Sequence, residues 1–167
     1  RSGEYVTLRE LREEVGRDAA RFFYVMRRSE QHLDFDLDLA KSKQKDNPVY
    51  YVQYAHARIA SNLRRAREQG MDLDRQRGLG AVHRLTLASE QALMGTLAHF
   101  PEQVRSAALA REPHQIAFYV RELANQFHGY YATPDMKLLD EDGDLRNARL
   151  LLCAATAQVI RNALALL

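Results

Sequence analysis

The chain has one cysteine, Cys153, so it can close no internal disulfide, and its setting in LLLCAATA reads as a small core residue in a reducing, cytoplasmic compartment. No apolar run approaches the roughly 20 residues that a bilayer-spanning helix needs, and nothing at the start has the composition of a secretory leader. A phosphate-binding glycine loop, a dinucleotide fingerprint and a nucleophile elbow are all missing. Histidines and the cysteine never fall at zinc-ligand spacing, and there is no Glu-x-x-His pair of the kind that builds a di-metal site in a bundle. Two acidic runs come nearest to a cation loop. DFDLD at 34–38 is followed by Leu39 where a calcium loop requires glycine and by Lys45 where it requires the bidentate glutamate, while DEDGD at 140–144 has its glycine out of place. Both read as a solvated face or a turn. The sequence therefore shows no self-sufficient catalytic centre and no metal site.

A large charge imbalance is also missing: the net charge is +2, with a sequence pI of 8.8, and the total does not announce a nucleic acid. Its distribution says more. Arg58, Arg64, Arg65, Arg67, Arg75, Arg77 and Arg84 outnumber the acids among them, with Asp34, Asp36 and Asp38 gathered upstream. A hydrophobic share of 46% with 28% charged residues excludes disorder, and 167 residues are enough for one main folded domain with a core. The chain opens on Arg1-Ser2-Gly3 without an initiator methionine and ends on ALALL inside a helical pattern, so it reads as a fragment of something longer.

Helical signals dominate. Thr7 to Glu10 has capping-box spacing ahead of Leu8, Leu11 and Val15, with Gly16 as the stop; Asp18 is placed to cap DAARFFYVMRRS. HLDFDLDLA changes period: Leu33, Phe35, Leu37 and Leu39 alternate with three aspartates, which predicts a half-buried strand needing a partner such as the segment near Glu4 to Val6. Asn47 and Pro48 open a helix expected over 48–69. Residues 71–83 read as a connection because of Gly78 and Gly80. Further helices are expected over 89–99, 101–110 and 113–131, the last with Ile116, Val120, Leu123, Phe127 and Tyr130 at helical spacing, then one capped at Asp144 and lined by Leu145, Ala148, Leu152, Ala155, Val159 and Leu166. The body is thus a mostly α helical bundle, with a short N-terminal connecting region containing one strand.

The helix from Pro48 carries two faces. At 100° per residue, Val52, His56, Ile59, Leu63 and Ala66 share an arc suited to a core, with His56 as a hydrogen-bonded buried histidine. Tyr51, Tyr54, Ala55, Arg58, Asn62 and Arg65 share the next arc, aromatic and basic, which a core does not need. Rings beside guanidinium groups hold unstacked bases of single-stranded RNA, since every base offers a π-face and a nearby phosphate a charge. Tyrosines at the rim of a core give a similar stripe. The pattern alone leaves both readings open.

Longer segments decide more. LDFDLDLAKSKQKDNPVYYVQYAHARI closely resembles a stretch of bacterial arginyl-tRNA synthetases, a class I aminoacyl-tRNA synthetase family, and the likeness extends through GRDAARFFYVMRRS, GYY and RNARLLL…VIRNALALL to cover the chain. The resemblance implies an all-helical anticodon-binding domain of the DALR type over 46–167, preceded over 1–45 by a connecting region that contacts the tRNA stem. It implies that Tyr51, Tyr54 and Tyr131 build the pocket for the middle anticodon base, a cytosine, with Arg58 one turn along. It implies arginine-specific tRNA as the partner, neither membrane nor DNA, and a monomeric parent. The parent would join arginine to its tRNA with ATP and Mg, whereas this chain holds no cofactor: Arg1-Ser2-Gly3 resembles the trailing edge of a KMSK-type loop, and the other catalytic motifs of the family are not in it. Two alternatives stand beside this reading, a helical protein-interaction module with a tyrosine face and the related domain of another class I synthetase such as the cysteinyl enzyme.

Overall fold

The computed structural model describes residues 7–28, 30–32, 35–134 and 136–167, and among them there are helices and connections but no strand. Thr7 and Glu10 close their capping box on α1 (Leu8–Val15), the Thr7 hydroxyl accepting from the Glu10 N–H and the Glu10 carboxylate from the Thr7 N–H. Gly16, at φ 82°, ends α1 and at once begins α2 (Arg17–Val25), so Asp18 lies in the first turn and does not cap it.

The predicted strand is overturned where it can be checked. Leu37–Lys41 form a short helix, α3, whose N-cap is Asp36, its carboxylate accepting from the Leu39 N–H at 2.9 Å. Alternation had two competitors here: an aspartate that satisfies helix N–H groups locally, and the lack, among the described residues, of a second strand to satisfy a ladder. Leu33, Asp34 and Glu4 to Val6 lie outside the described residues. Phe35 turns onto the rings of Phe23 and Tyr24, 5.3 and 6.0 Å away, and Lys41 meets Glu14 at 2.8 Å, so α3 leans on α1 and α2.

The bundle proper is α4 (Pro48–Glu68), α6 (Ala88–Ala110), α7 (His114–Tyr131) and α8 (Gly143–Leu166). Asn47 does more than cap α4. Its Oδ1 accepts from the N–H groups of Val49 and Tyr50, and its buried amide donates to the carbonyls of Ala40 and Ser42, tying the incoming chain to the first turn. The sequence breaks this region into fewer helices than expected at one place and more at another. Pro101 lies inside a single continuous α6, packed along α7, with Tyr119 of α7 donating its hydroxyl to the Thr96 carbonyl at 2.8 Å. The expected connection over 71–83 contains α5 (Arg75–Gly80) and a 3-10 turn, Val82–Arg84. Gly78 sits there for closeness: a Cβ would stand 2.7 Å from the Asn147 carbonyl oxygen of α8.

α8 touches α4, α5, α6 and α7. It is capped by Asp142, two residues before the expected Asp144. Ala148, Leu150, Cys153, Ile160 and Ala163 on it are wholly buried, while Leu166, expected on that face, is exposed. By length and composition α8 is the one helix among the described residues long and apolar enough to cross a bilayer; here it is the centre of the bundle. The buried faces of α4 and α7 complete the core with Val52, Ile59, Val120, Leu123 and Phe127, each fully buried large side chain contributing about 1.5–3 kcal/mol. A buried ion pair lies among them: Arg149 of α8 donates to Glu90 of α6 at 2.8 Å, to the Lys137 carbonyl at 3.0 Å and to Asp140 at 3.5 Å.

Candidate nucleic-acid interface

α4 and α7 pack side by side, and their shared outer edge gathers the tyrosine stripe. Tyr50, Tyr54 and Arg58 follow one another at four-residue steps along α4, and His128 and Tyr131 stand three apart on α7, so each set shares a face. The Tyr50 and Tyr54 rings are stacked, 6.0 Å between centroids and 3° between planes. His128 continues the column, 5.4 Å from Tyr54 at 21°. Tyr51 closes on the His128 ring from the core side, 4.3 Å away.

The Arg58 guanidinium is the centre of this group. Its carbon lies 4.5 Å from the Tyr54 ring centroid and 4.9 Å from that of Tyr131, so one cation touches a ring from each helix. Arg58 Nη2 donates to the Tyr54 hydroxyl at 2.5 Å, and Nη1 lies 3.4 Å from His128 Nδ1. Tyr131, the last residue of α7, donates its hydroxyl to Asn62 of α4 at 3.3 Å, closing the far end.

Of the residues expected from sequence, Tyr54, Arg58 and Tyr131 come together directly. Tyr54 is 40% exposed and is the most open ring. Tyr51 belongs to the group but is half-buried, backing His128 more than facing outward. The arc drawn from periodicity needs correction at three positions: Ala55 and Asn62 are buried, and His56, expected in the core, is only half-buried, its Nε2 3.1 Å from Arg161 Nη1. His128 and Tyr50 were not singled out by sequence reasoning. A four-step reading back from Tyr54 reaches Tyr50, and a three-step reading back from Tyr131 reaches His128.

Burial, and secondarily the charge of Arg58, holds the His128 pKa below its ordinary 6.5. Most of the upstream arginine excess is already spent on carboxylates: Arg64 meets Glu68, Arg67 meets Asp72, Arg77 meets Asp144 and Arg84 meets Asp142. Asp142, which also caps α8, is held well below the carboxylate range by Arg84. In the first acidic run Asp36 is a helix cap, in the second Asp140, Asp142 and Asp144 meet arginines, and no group of three or more metal-ligating side chains occurs among the described residues. What the α4–α7 edge offers is stacking surface with a positive charge held inside it, a fit for an unstacked base and its backbone.

Comparison with known proteins agrees in its own terms. The model of the DALR anticodon binding domain matches residues 52–167. The arginine-tRNA ligase of Thioalkalivibrio sulfidiphilus is 60% identical over 167 residues, all of this chain and 28% of that protein. That of Halorhodospira halophila is 60% identical over 168 residues, again covering all of this chain and 28% of its own length. The solved structure of Thermus thermophilus arginyl-tRNA synthetase superposes with a TM-score of 0.73 at 31% identity, covering 98% of this chain and 27% of that one. The chain therefore spans about 28% of the length of the curated relatives it matches.

Proposed function

This chain belongs to the DALR anticodon binding domain family, and from that premise we propose that it is the tRNA-binding C-terminal part of an arginine-tRNA ligase, receiving the middle anticodon base at Tyr54, Arg58 and Tyr131 with Tyr51 behind them. The observation that carries the reading is the single guanidinium in contact with rings from two helices at the outer edge of the bundle. Rings supply stacking that any base can use; the guanidinium supplies donors and charge for a base edge or a phosphate. In this reading residues 1–45 meet the tRNA stem and 46–167 the anticodon, and attachment of arginine, with ATP and Mg, falls to the rest of a cytoplasmic, monomeric ligase. The relatives named above are arginine enzymes, which speaks against the cysteinyl alternative, and no observation favours a protein partner for the tyrosine face.

Fluorescence titration tests this with two stem-loops, one carrying the arginine anticodon and one altered at its middle base. Tyr54→Ala is expected to weaken binding of the first by about 1–3 kcal/mol, the range of a lost stacking platform, and the altered loop should bind wild type correspondingly less well. Equal affinity for both loops, together with an unchanged Tyr54→Ala variant, would overturn the assignment.

A further inference from the structure

His128 contacts the Tyr51 and Tyr54 rings and the guanidinium between the helices, and the base-binding reading above gives it no task. The residue is 9% exposed. Two contacts define its state: Nε2 lies 3.4 Å from the Tyr51 carbonyl oxygen, and Nδ1 lies 3.4 Å from Arg58 Nη1. A carbonyl only accepts and a guanidinium only donates. Both contacts are therefore satisfied together by a single species, the neutral imidazole with its proton on Nε2 and its lone pair on Nδ1.

We propose that His128, in this neutral tautomer, is a positioning residue for base recognition: it holds the Arg58 guanidinium between Tyr54 and Tyr131, with its remaining N–H groups free for the incoming nucleotide. The proposal rests on the anticodon-binding reading and names the device that orders its central cation. Arg58 is a long side chain with several freely rotating bonds, and a nucleotide must otherwise fix it at an entropic cost. Three contacts fix it beforehand: the Tyr54 hydroxyl on Nη2, the His128 lone pair on Nη1, and the faces of two rings. The His128 ring is in turn fixed by stacking on Tyr54 and by Tyr51 at 4.3 Å. Protonation at Nδ1 would remove the acceptor and set an imidazolium against a guanidinium. The groups facing His128 are Tyr51, Tyr54 and Arg58 from α4 and Phe127 from its own helix; Arg58 is the charged one, and no carboxylate among the described residues pairs with His128. Burial and Arg58 both favour the neutral ring, consistent with this assignment.

The test uses the protein with the arginine anticodon stem-loop at constant ionic strength, between pH 8 and pH 5. His128→Phe keeps a ring and loses the lone pair; His128→Asn places an amide oxygen near the Nδ1 position and cannot titrate. His128→Phe is expected to weaken binding by about tenfold at pH 8, as for a lost contact to a charged group, and His128→Asn to recover most of it. Wild-type affinity should fall as pH drops below about 6.5, the ordinary histidine value, while His128→Asn stays level. In an Arg58→Ala background His128→Phe should add little, because the two act as one unit. Wild-type affinity for His128→Phe, or an undiminished loss in the Arg58→Ala background, overturns the positioning role while Tyr54→Ala still reports the base site. If Tyr54→Ala and Arg58→Ala both bind as wild type, the anticodon reading itself fails, and this proposal with it. A circular-dichroism melt of each variant separates lost binding from lost fold.

Discussion

Tyr130 and Tyr131 are neighbours in the chain that face opposite worlds. Tyr130 is wholly buried beside Cys153, and burial pushes its hydroxyl pKa far up, whereas Tyr131 reaches the α4–α7 edge and the Arg58 guanidinium. One helical step of 100° separates the core from the candidate interface. The same precision divides ring from hydroxyl at Tyr54. Tyr54→Phe should cost about 0.5–1.5 kcal/mol of RNA affinity, the worth of one hydrogen bond, and less than the alanine variant; equal losses in titration would mean that the hydroxyl, not the face, carries recognition. Tyr51, Tyr54 and Arg58 were visible in the sequence because they lie on one arc of one helix, whereas Tyr131, on α7, was reached only through the family resemblance. His128 was reached by neither, since its meaning arises from a contact between residues 70 positions apart. Two histidines also set a pH response for folding. His56 and His128 both have folded pKa values below 6.5, His56 through burial and then Arg161. A depressed folded pKa means that the unfolded chain takes up protons first, so stability is full above 6.5 and declines as pH falls through the folded values. Urea midpoints measured from pH 8 down to pH 5 should fall, and by less in His128→Asn.

At the scale of elements, caps and long apolar periods were legible: α1, α4 and α7 match the expected spans closely, because Thr7, Asn47 and the repeat through Tyr130 are local signals. What failed was punctuation whose meaning is tertiary. Gly78 reads as a loop residue, yet it is a helical glycine admitted by the approach of α5 to α8; Pro101 reads as a boundary, yet neighbouring helices hold α6 through it. Alternating aspartates read as a strand, yet Asp36 caps a helix. Gly78→Ala should therefore lower stability by about 1–3 kcal/mol, the usual cost of overpacking, although alanine is the better helix former; a higher melting temperature would show that α5 can move away. Asn47→Ala removes a cap and leaves the Ala40 and Ser42 carbonyls without their donor, and a loss of about 1–3 kcal/mol is expected in chemical denaturation.

The whole molecule is organised by α8 and by one ion pair that no helical period announces. Glu90 caps α6 through the Leu87 N–H and is simultaneously the partner of Arg149, which also holds the loop before α8. Glu90→Gln leaves a cation buried with only Asp140, 3.5 Å away, to compensate. A loss near the lower end of about 3–5 kcal/mol is expected in urea unfolding. Because the net charge is only +2, long-range attraction cannot supply much RNA affinity, so local cations must. Arg58→Gln should accordingly reduce the slope of log affinity against log salt by about one, measured over a salt series.

Cys153 lies wholly buried at the middle of α8, its thiol pKa pushed up to about 12. Being the chain's single sulfhydryl, it is a built-in reporter: a maleimide or disulfide reagent can reach it only when the helices part. The speed of its modification would then count openings of the bundle, and a dye attached at a second, surface cysteine would find no native competitor.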